Sequence, residues 1–174
     1  MATYDLEQHE KIDGIKTWWD KFGTATTIIL TALLVTVGSM QAWKYYQQKQ
    51  SQQAADLYVL LQQVQLSNDA TRINDAAQLL TEGFPSSGYA PRAALIAAQA
   101  DVQAGNDKRA IQNLQWIIDH AKEPAMHDLA RLRIAGILLD EEKYDEALKM
   151  LNAQHDEAFA GLYSDRKGDI LVAA

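Results

Sequence analysis

Apolar and polar residues are unevenly spread along this chain of 174 residues. From Phe22 to Trp43 the run FGTATTIILTALLVTVGSMQAW carries no charge, and Lys21 and Lys44 bracket it. A helix rises about 1.5 Å per residue, so about 20 apolar residues cross a bilayer core. Trp18 and Trp19 stand at one end of the run, and Trp43, Tyr45 and Tyr46 at the other. Such rings are favoured at headgroup depth. A buried helix of a soluble protein rarely stays apolar on every face for so long. A cleaved signal peptide has a shorter apolar region and a basic start. Here the preceding tail carries Asp5, Glu7, Glu10, Asp13 and Asp20, although Val37-Gly38-Ser39 offers a small-residue cleavage site. The pattern predicts a tail over 1–21, a retained transmembrane anchor over 22–43 and one soluble domain over 44–174.

Beyond the anchor the pattern changes to helical spacing, as in Ala93, Ala94, Ala97, Ala98, Asp101 and Val102. β-branched residues do not alternate there, and hairpin dipeptides flanked by strands are missing. The spacing predicts an all-α fold with helices near 45–66, 72–83, 90–104, 107–121, 125–141, 144–153 and 158–173. Pro85, Pro91 and Pro124 fall at breaks or first turns, where a missing N–H costs least. Gly105 falls where a helix C-terminus calls for a left-handed residue. KYYQQKQSQQAADLYVLLQQVQ has no Pro or Gly, so the first helix is expected to continue out of the anchor. Its seam of Leu57, Leu61 and Val64 suits the next helix, or a coiled-coil partner.

Compared with itself at a shift of 37 residues, the chain pairs Leu95 with Leu132, Ala98 with Ala135, and Ala110 with Ala147. Ile111 and Leu114 likewise meet Leu148 and Leu151. Ala98 with Ala110, and Ala135 with Ala147, are each twelve apart, which puts them on facing helices of a helical hairpin. Weaker echoes occur at Ala76, Ala77 and Leu80, and near Gly168. A small–small–aliphatic pattern with a period of about 34 marks tetratricopeptide units, with three extra residues assigned to the loop around Pro124. The fold class is therefore a single transmembrane helix followed by a tetratricopeptide-like solenoid of helical hairpins. Ala98, Ala110, Ala135, Ala147 and Gly168 are its expected packing positions. Tyr163 to Ala174 reads as the first helix of another hairpin, so Ile170, Leu171 and Val172 are expected to keep an open apolar side in a domain incomplete at its C-terminus.

Charge and chemistry narrow the function. The formal net charge is −7, which argues against nucleic acid, since that ligand needs a clustered basic face. Absence of cysteine excludes disulfides, thiolate metal sites and cysteine nucleophiles. His9, His120, His127 and His155 are scattered without ligand spacing, and His120 and His127 read as solvated edges of the Pro124 loop. No phosphate loop or nucleophile elbow is present. The acidic groups Asp140, Glu141, Glu142 and Asp165, Asp169 read as solvated faces. No catalytic, cofactor or metal site is expected. Within the anchor, Thr24, Thr27, Thr31, Gly38 and Ala42 fall on one helical stripe that suits docking to another helix. The alternative is that the threonines bond back to their own helix. Lys11, Lys16 and Lys21 before the anchor, against Lys44 and Lys49 after it, lean by one lysine towards a cytoplasmic N-terminus.

The tail YDLEQHEKIDGIKTWWDKFG, the anchor ending in Trp43-Lys44-Tyr45-Tyr46 and the hairpins together resemble the ancillary subunit family of the bacterial SecYEG translocon (YfgM-like proteins). Tyr4, Glu7, Gln8, Ile15, Lys16, Trp18, Trp19 and Gly23 carry the tail match. Gly88-Tyr89-Ala90 and Asp165-Arg166-Lys167-Gly168-Asp169-Ile170 carry the later one. The resemblance covers essentially the whole chain, but family members continue through another hairpin or so. It implies a single-pass inner-membrane protein with a periplasmic repeat domain. Its implied partners are the Sec translocon, a membrane-anchored periplasmic chaperone of prolyl-isomerase type and translocating polypeptides, with no cofactor and no catalytic residues. A periplasmic repeat adaptor for envelope or cell-division machinery would use the same fold.

Overall fold

A computed structural model describes residues 3–174, with the side chains of Trp19, Lys21, Gly23, Thr24 and every residue from Thr26 onward. The side chains of Tyr4, Glu7, Gln8, Lys11, Ile15, Lys16 and Trp18 lie outside the described residues. Contacts divide the chain into two units, residues 1–49 and 50–174.

In the first unit the backbone is helical throughout the described residues, as part of α1, Thr3–Gln65. The part of α1 from Thr26 contains an 18-residue window of mean hydropathy 1.4 with none of it buried, long and apolar enough to cross a membrane. The Trp19 indole covers Gly23, with ring atoms 3.1 Å from where a β-carbon would sit.

The second unit is all-helical among the described residues. The end of α1 is followed by α2 (Ala70–Gly83), α3 (Tyr89–Gln103), α4 (Asp107–His120), α5 (Pro124–Asp140), α6 (Tyr144–Leu151) and α7 (Ala160–Ala173). A single 3-10 turn, Glu157–Phe159, precedes α7. Local chemistry fixes several boundaries. Asp69 caps α2 by accepting from the Thr71 and Arg72 amides at 3.0 and 3.3 Å. Pro124 opens α5 in the first turn, where its missing N–H is no loss. Only residues 121–123 separate α4 from α5, so the three extra residues expected around Pro124 form no extended loop there.

Neighbouring helices pack as hairpins in chain order, with α3 against α4 and α5 against α6, and α3, α5 and α7 lie side by side. Two buried clusters result. Ala54 and Leu61 of α1, Ile73, Ala77 and Leu80 of α2 and Ala93, Ala97 and Ala100 of α3 form one. The larger runs from Ala94 and Ala98 of α3 to Tyr163 and Ile170 of α7. Helix α3 feeds both clusters, and a helix packed on two sides is well served by alanine, which lets both neighbours come close.

The 37-residue interval governs the backbone as well as the side chains. Helices α2, α4 and α6 begin at Ala70, Asp107 and Tyr144, at 37-residue steps. Among the described residues three are left-handed, Asn68 (φ 52), Gly105 (φ 73) and Glu142 (φ 61), and they repeat at the same step. At two of them the closing bonds also correspond. The Asn106 amide donates to Asp101 O and the Lys143 amide to Leu138 O, both at 2.8 Å, as in a Schellman ending. The core obeys the same interval, with Leu61, Ala98 and Ala135 buried at one position and Ile73, Ala110 and Ala147 at another. The first hairpin thus begins within α1, and Leu61 and Ile73 hold the places taken by alanine later.

Gly168 departs from expectation. It is exposed, and a β-carbon built on it meets nothing within 4 Å, so it packs no helix of this chain. Ile170 departs too, because α7 turns it fully into the core, while Leu171 and Val172 stay exposed.

Candidate functional site

Side-by-side packing of α3, α5 and α7 leaves an open groove of about 480 Å³ along their common face. Helix α3 contributes Leu95, Ile96, Gln99, Val102 and Gln103, which share a face by their spacing. Helix α5 contributes Leu129, Leu132, Arg133, Gly136 and Asp140 by the same logic, and α7 contributes Arg166. Ala98, Leu114 and Ile137 form the floor. Gly136 opens a slot in the α5 wall, since a β-carbon there would meet only the Arg166 guanidinium carbon, at 3.9 Å.

The groove is apolar along its length and charged at points. Arg133 is exposed and forms no ion pair among the described residues. Arg166 lies 3.6 Å from Asp169 in a half-exposed pair of the kind that contributes little to stability. Asp140 lies two turns beyond Arg133 on the same helix. Asp140 is exposed, as a solvated acidic face requires, and it also lines this groove.

Two buried carboxylates brace the helices behind it. Asp101 is fully buried in α3. It accepts from Asn74 Nδ2 and Arg109 Nε on Oδ1, at 2.9 and 3.0 Å, and from Asn113 Nδ2 on Oδ2, at 2.9 Å. Asn113 Nδ2 also donates to Asn74 Oδ1 at 2.9 Å. One carboxylate thereby joins α2, α3 and α4. Asp128 of α5 does the same for the approach to α7. It accepts from Arg131 at 3.2 Å and from the Asp156 amide at 3.0 Å. The Tyr163 hydroxyl donates to the Asp128 carbonyl and carboxylate at 3.3 and 3.4 Å. Burial, and then the Asp128 charge, raise the Tyr163 pKa above its ordinary value of 10.0. Sequence reasoning missed both roles, and the one signal was a charged residue on an otherwise apolar helical stripe.

His9 lies outside the residues whose side chains are described, and the other three histidines serve the fold. His120 stacks on Trp116 with ring centroids 4.6 Å apart. His127 Nε2 lies 2.7 Å from the Ala121 carbonyl oxygen, so this half-buried ring ties down the short α4–α5 link. His155 stacks on Tyr163 at 4.0 Å. Among the described residues no three His, Asp or Glu side chains gather as a metal site would require.

In the anchor, Thr24, Thr27, Thr31, Gly38 and Ala42 are all exposed. Thr27 donates to the Gly23 carbonyl at 2.5 Å and Thr31 to the Thr27 carbonyl at 2.8 Å. Their hydroxyl hydrogens are thus committed to their own helix. What the stripe can still offer a neighbour is close approach and acceptor lone pairs.

Antiparallel helix pairs stacked at a constant interval around an open groove define a helical-repeat binding scaffold. A family model for a tetratricopeptide repeat-like domain matches residues 16–174, and the chain belongs to that family. Three relatives are each an ancillary SecYEG translocon subunit. That of Neisseria gonorrhoeae is 29% identical over 99% of this chain and 83% of its own length. That of Haemophilus influenzae is 26% identical over 98% and 83%, and that of Escherichia coli K12 is 22% identical over 99% and 82%. No solved structure matches the chain with comparable significance.

Proposed function

We propose that this chain is a non-enzymatic interaction module tethered to a bacterial inner membrane, where it associates with the SecYEG translocon and assists newly translocated proteins. The observation that carries this reading is the extent of the similarity. Each of the three translocon subunits aligns with at least 98% of the chain, so anchor and repeat domain are matched together. In this reading residues 22–43 span the bilayer, residues 1–21 face the cytoplasm and residues 44–174 lie in the periplasm. The stripe from Thr24 to Ala42 docks against translocon helices. The groove of α3, α5 and α7 receives polypeptide, either an emerging chain or a segment of a membrane-anchored prolyl-isomerase chaperone. Gln99 and Gln103 support a peptide occupant, because their amides supply the donors and acceptors that an extended backbone needs.

Site-specific photocrosslinking in intact membranes tests this reading. Probes at Thr31 and Gly38 are expected to capture translocon subunits, and a probe at Val102 to capture translocating or chaperone polypeptide. Capture of envelope or division proteins alone, from all three positions, would favour the adaptor role instead.

A further inference from the structure

The groove carries a charge pattern as well as an apolar one, and the two together specify an occupant. We infer that it selects extended segments with the alternation acid, spacer, large aliphatic, spacer, base. This rests on the reading of the groove as a polypeptide site.

Three positions on one wall supply the argument. Arg133, Gly136 and Asp140 line the groove from the same helix, α5. At about 1.5 Å per residue, the first and last lie about 10 Å apart along the axis, with the open slot between them. An extended chain rises about 3.3 Å per residue and turns alternate side chains to one face, so positions one, three and five span about 13 Å. The flexible Arg133 side chain absorbs the small mismatch. The central side chain then enters the slot that Gly136 leaves open, between Leu132 and the Arg166 guanidinium, whose carbon stands 3.9 Å from the β-carbon position. The acid meets Arg133, which has no ion pair among the described residues. The base meets Asp140, where a second acid would be repelled. A free arginine in a chain of net charge −7 marks this as the acid-reading end. A fatty acid would satisfy Arg133 and the apolar wall but leave Asp140, Gln99 and Gln103 without partners, so a peptide fits better.

The test uses the full chain in detergent micelles and short fluorescein-labelled peptides followed by fluorescence anisotropy. The core Glu-Ser-Leu-Ser-Lys should bind more tightly than Gln-Ser-Leu-Ser-Gln by about 5-fold, the scale of partly exposed ion pairs. Glu-Ser-Ser-Ser-Lys should bind more weakly still. Arg133→Glu, at an exposed position, should abolish the preference of Glu-Ser-Leu-Ser-Lys over Gln-Ser-Leu-Ser-Lys. Gly136→Leu should fill the slot and weaken all peptides, while Gly136→Ala, whose methyl fits, should retain binding. If Gly136→Leu weakens binding and the charged and neutral peptides bind equally, the groove reading stands and the charge pattern is wrong. If both Gly136 variants bind all peptides like the parent, or no peptide binds, the groove is not a peptide site and both readings fall. Displacement of bound peptide by oleate but not by unlabelled peptide would identify a lipid site and overturn the proposal.

Discussion

Tyr163 of α7 and Asp128 of α5 are 35 residues apart in sequence and share a buried hydrogen bond, made by the tyrosine hydroxyl to both the carbonyl and the carboxylate of the aspartate. Helix α7 carries Arg166 into the groove. The position of one groove wall therefore depends on a contact outside the groove.

Loss of that contact should be measurable in two ways. Tyr163→Phe removes a buried hydroxyl and should cost about 1 kcal/mol near neutral pH. The raised pKa predicts the second effect. A proton held more tightly in the folded state stabilises the fold fully below the ordinary value of 10.0, and that stability is lost as pH rises through the folded value. Urea midpoints of the parent should fall above pH 10, and Tyr163→Phe should show a shallower fall. Parallel alkaline profiles for the two proteins would refute this account of Tyr163.

Asp101 offers a stronger perturbation. Asp101→Ala would leave Asn74, Arg109 and Asn113 without their shared acceptor and should cost about 2–3 kcal/mol. Arg109 is partly exposed and can turn to water, which keeps the cost below that of a fully buried pair. Trp116 fluorescence during urea denaturation would report it, and an unchanged midpoint would show that the network is dispensable.

The hairpin alanines should resist enlargement. Ala110→Leu overpacks a fully buried site between helices and is expected to cost about 1–3 kcal/mol. Gln112→Leu, two residues on and exposed, should change stability little. Equal melting temperatures for the Ala110 variant and the parent would remove close approach at Ala110 as a feature of this hairpin.

Glu142 holds a left-handed backbone that favours glycine (φ 61). Glu142→Gly should therefore stabilise the domain by about 1 kcal/mol, and Gly105→Ala at the corresponding turn should destabilise it by a similar amount. Thermal melts of the two variants should move in opposite directions.

Orientation can be read by labelling, because the chain contains no cysteine. A single cysteine at Ser86, an exposed loop position, should react with an impermeant thiol reagent in intact spheroplasts. One placed at Ala2 should not. The reverse pattern would invert the proposed topology.

Most of the helical framework was legible in the chain because alanine periodicity and well-placed Pro and Gly residues mark it locally. The starts of α4 and α6, for instance, coincide with those expected. The first hairpin was faint because Leu61 and Ile73 replace the small residues that made the later hairpins visible. Glu142 gave no hint of its left-handed backbone, since the turn is imposed by the Lys143–Leu138 closure and not by residue type. Gly168 shows the opposite case, a small residue whose type suggests a contact where nothing lies within 4 Å of its β-carbon position. The groove itself was illegible. Val102, Arg133 and Arg166 come together only through the stacking of three helices, and no local spacing records that.

The constant placement of Asn68, Gly105 and Glu142 bears on how the chain tolerates insertions and deletions. Losing one residue from 104–106 or 141–143 would rotate the following helix by about 100° and swing Ala110 or Ala147 off its partner. The links between hairpins are less uniform, with five residues at 84–88, three at 121–123 and a longer segment with its own 3-10 turn before α7. Length changes should accumulate in those links and be purged from the turns inside each hairpin.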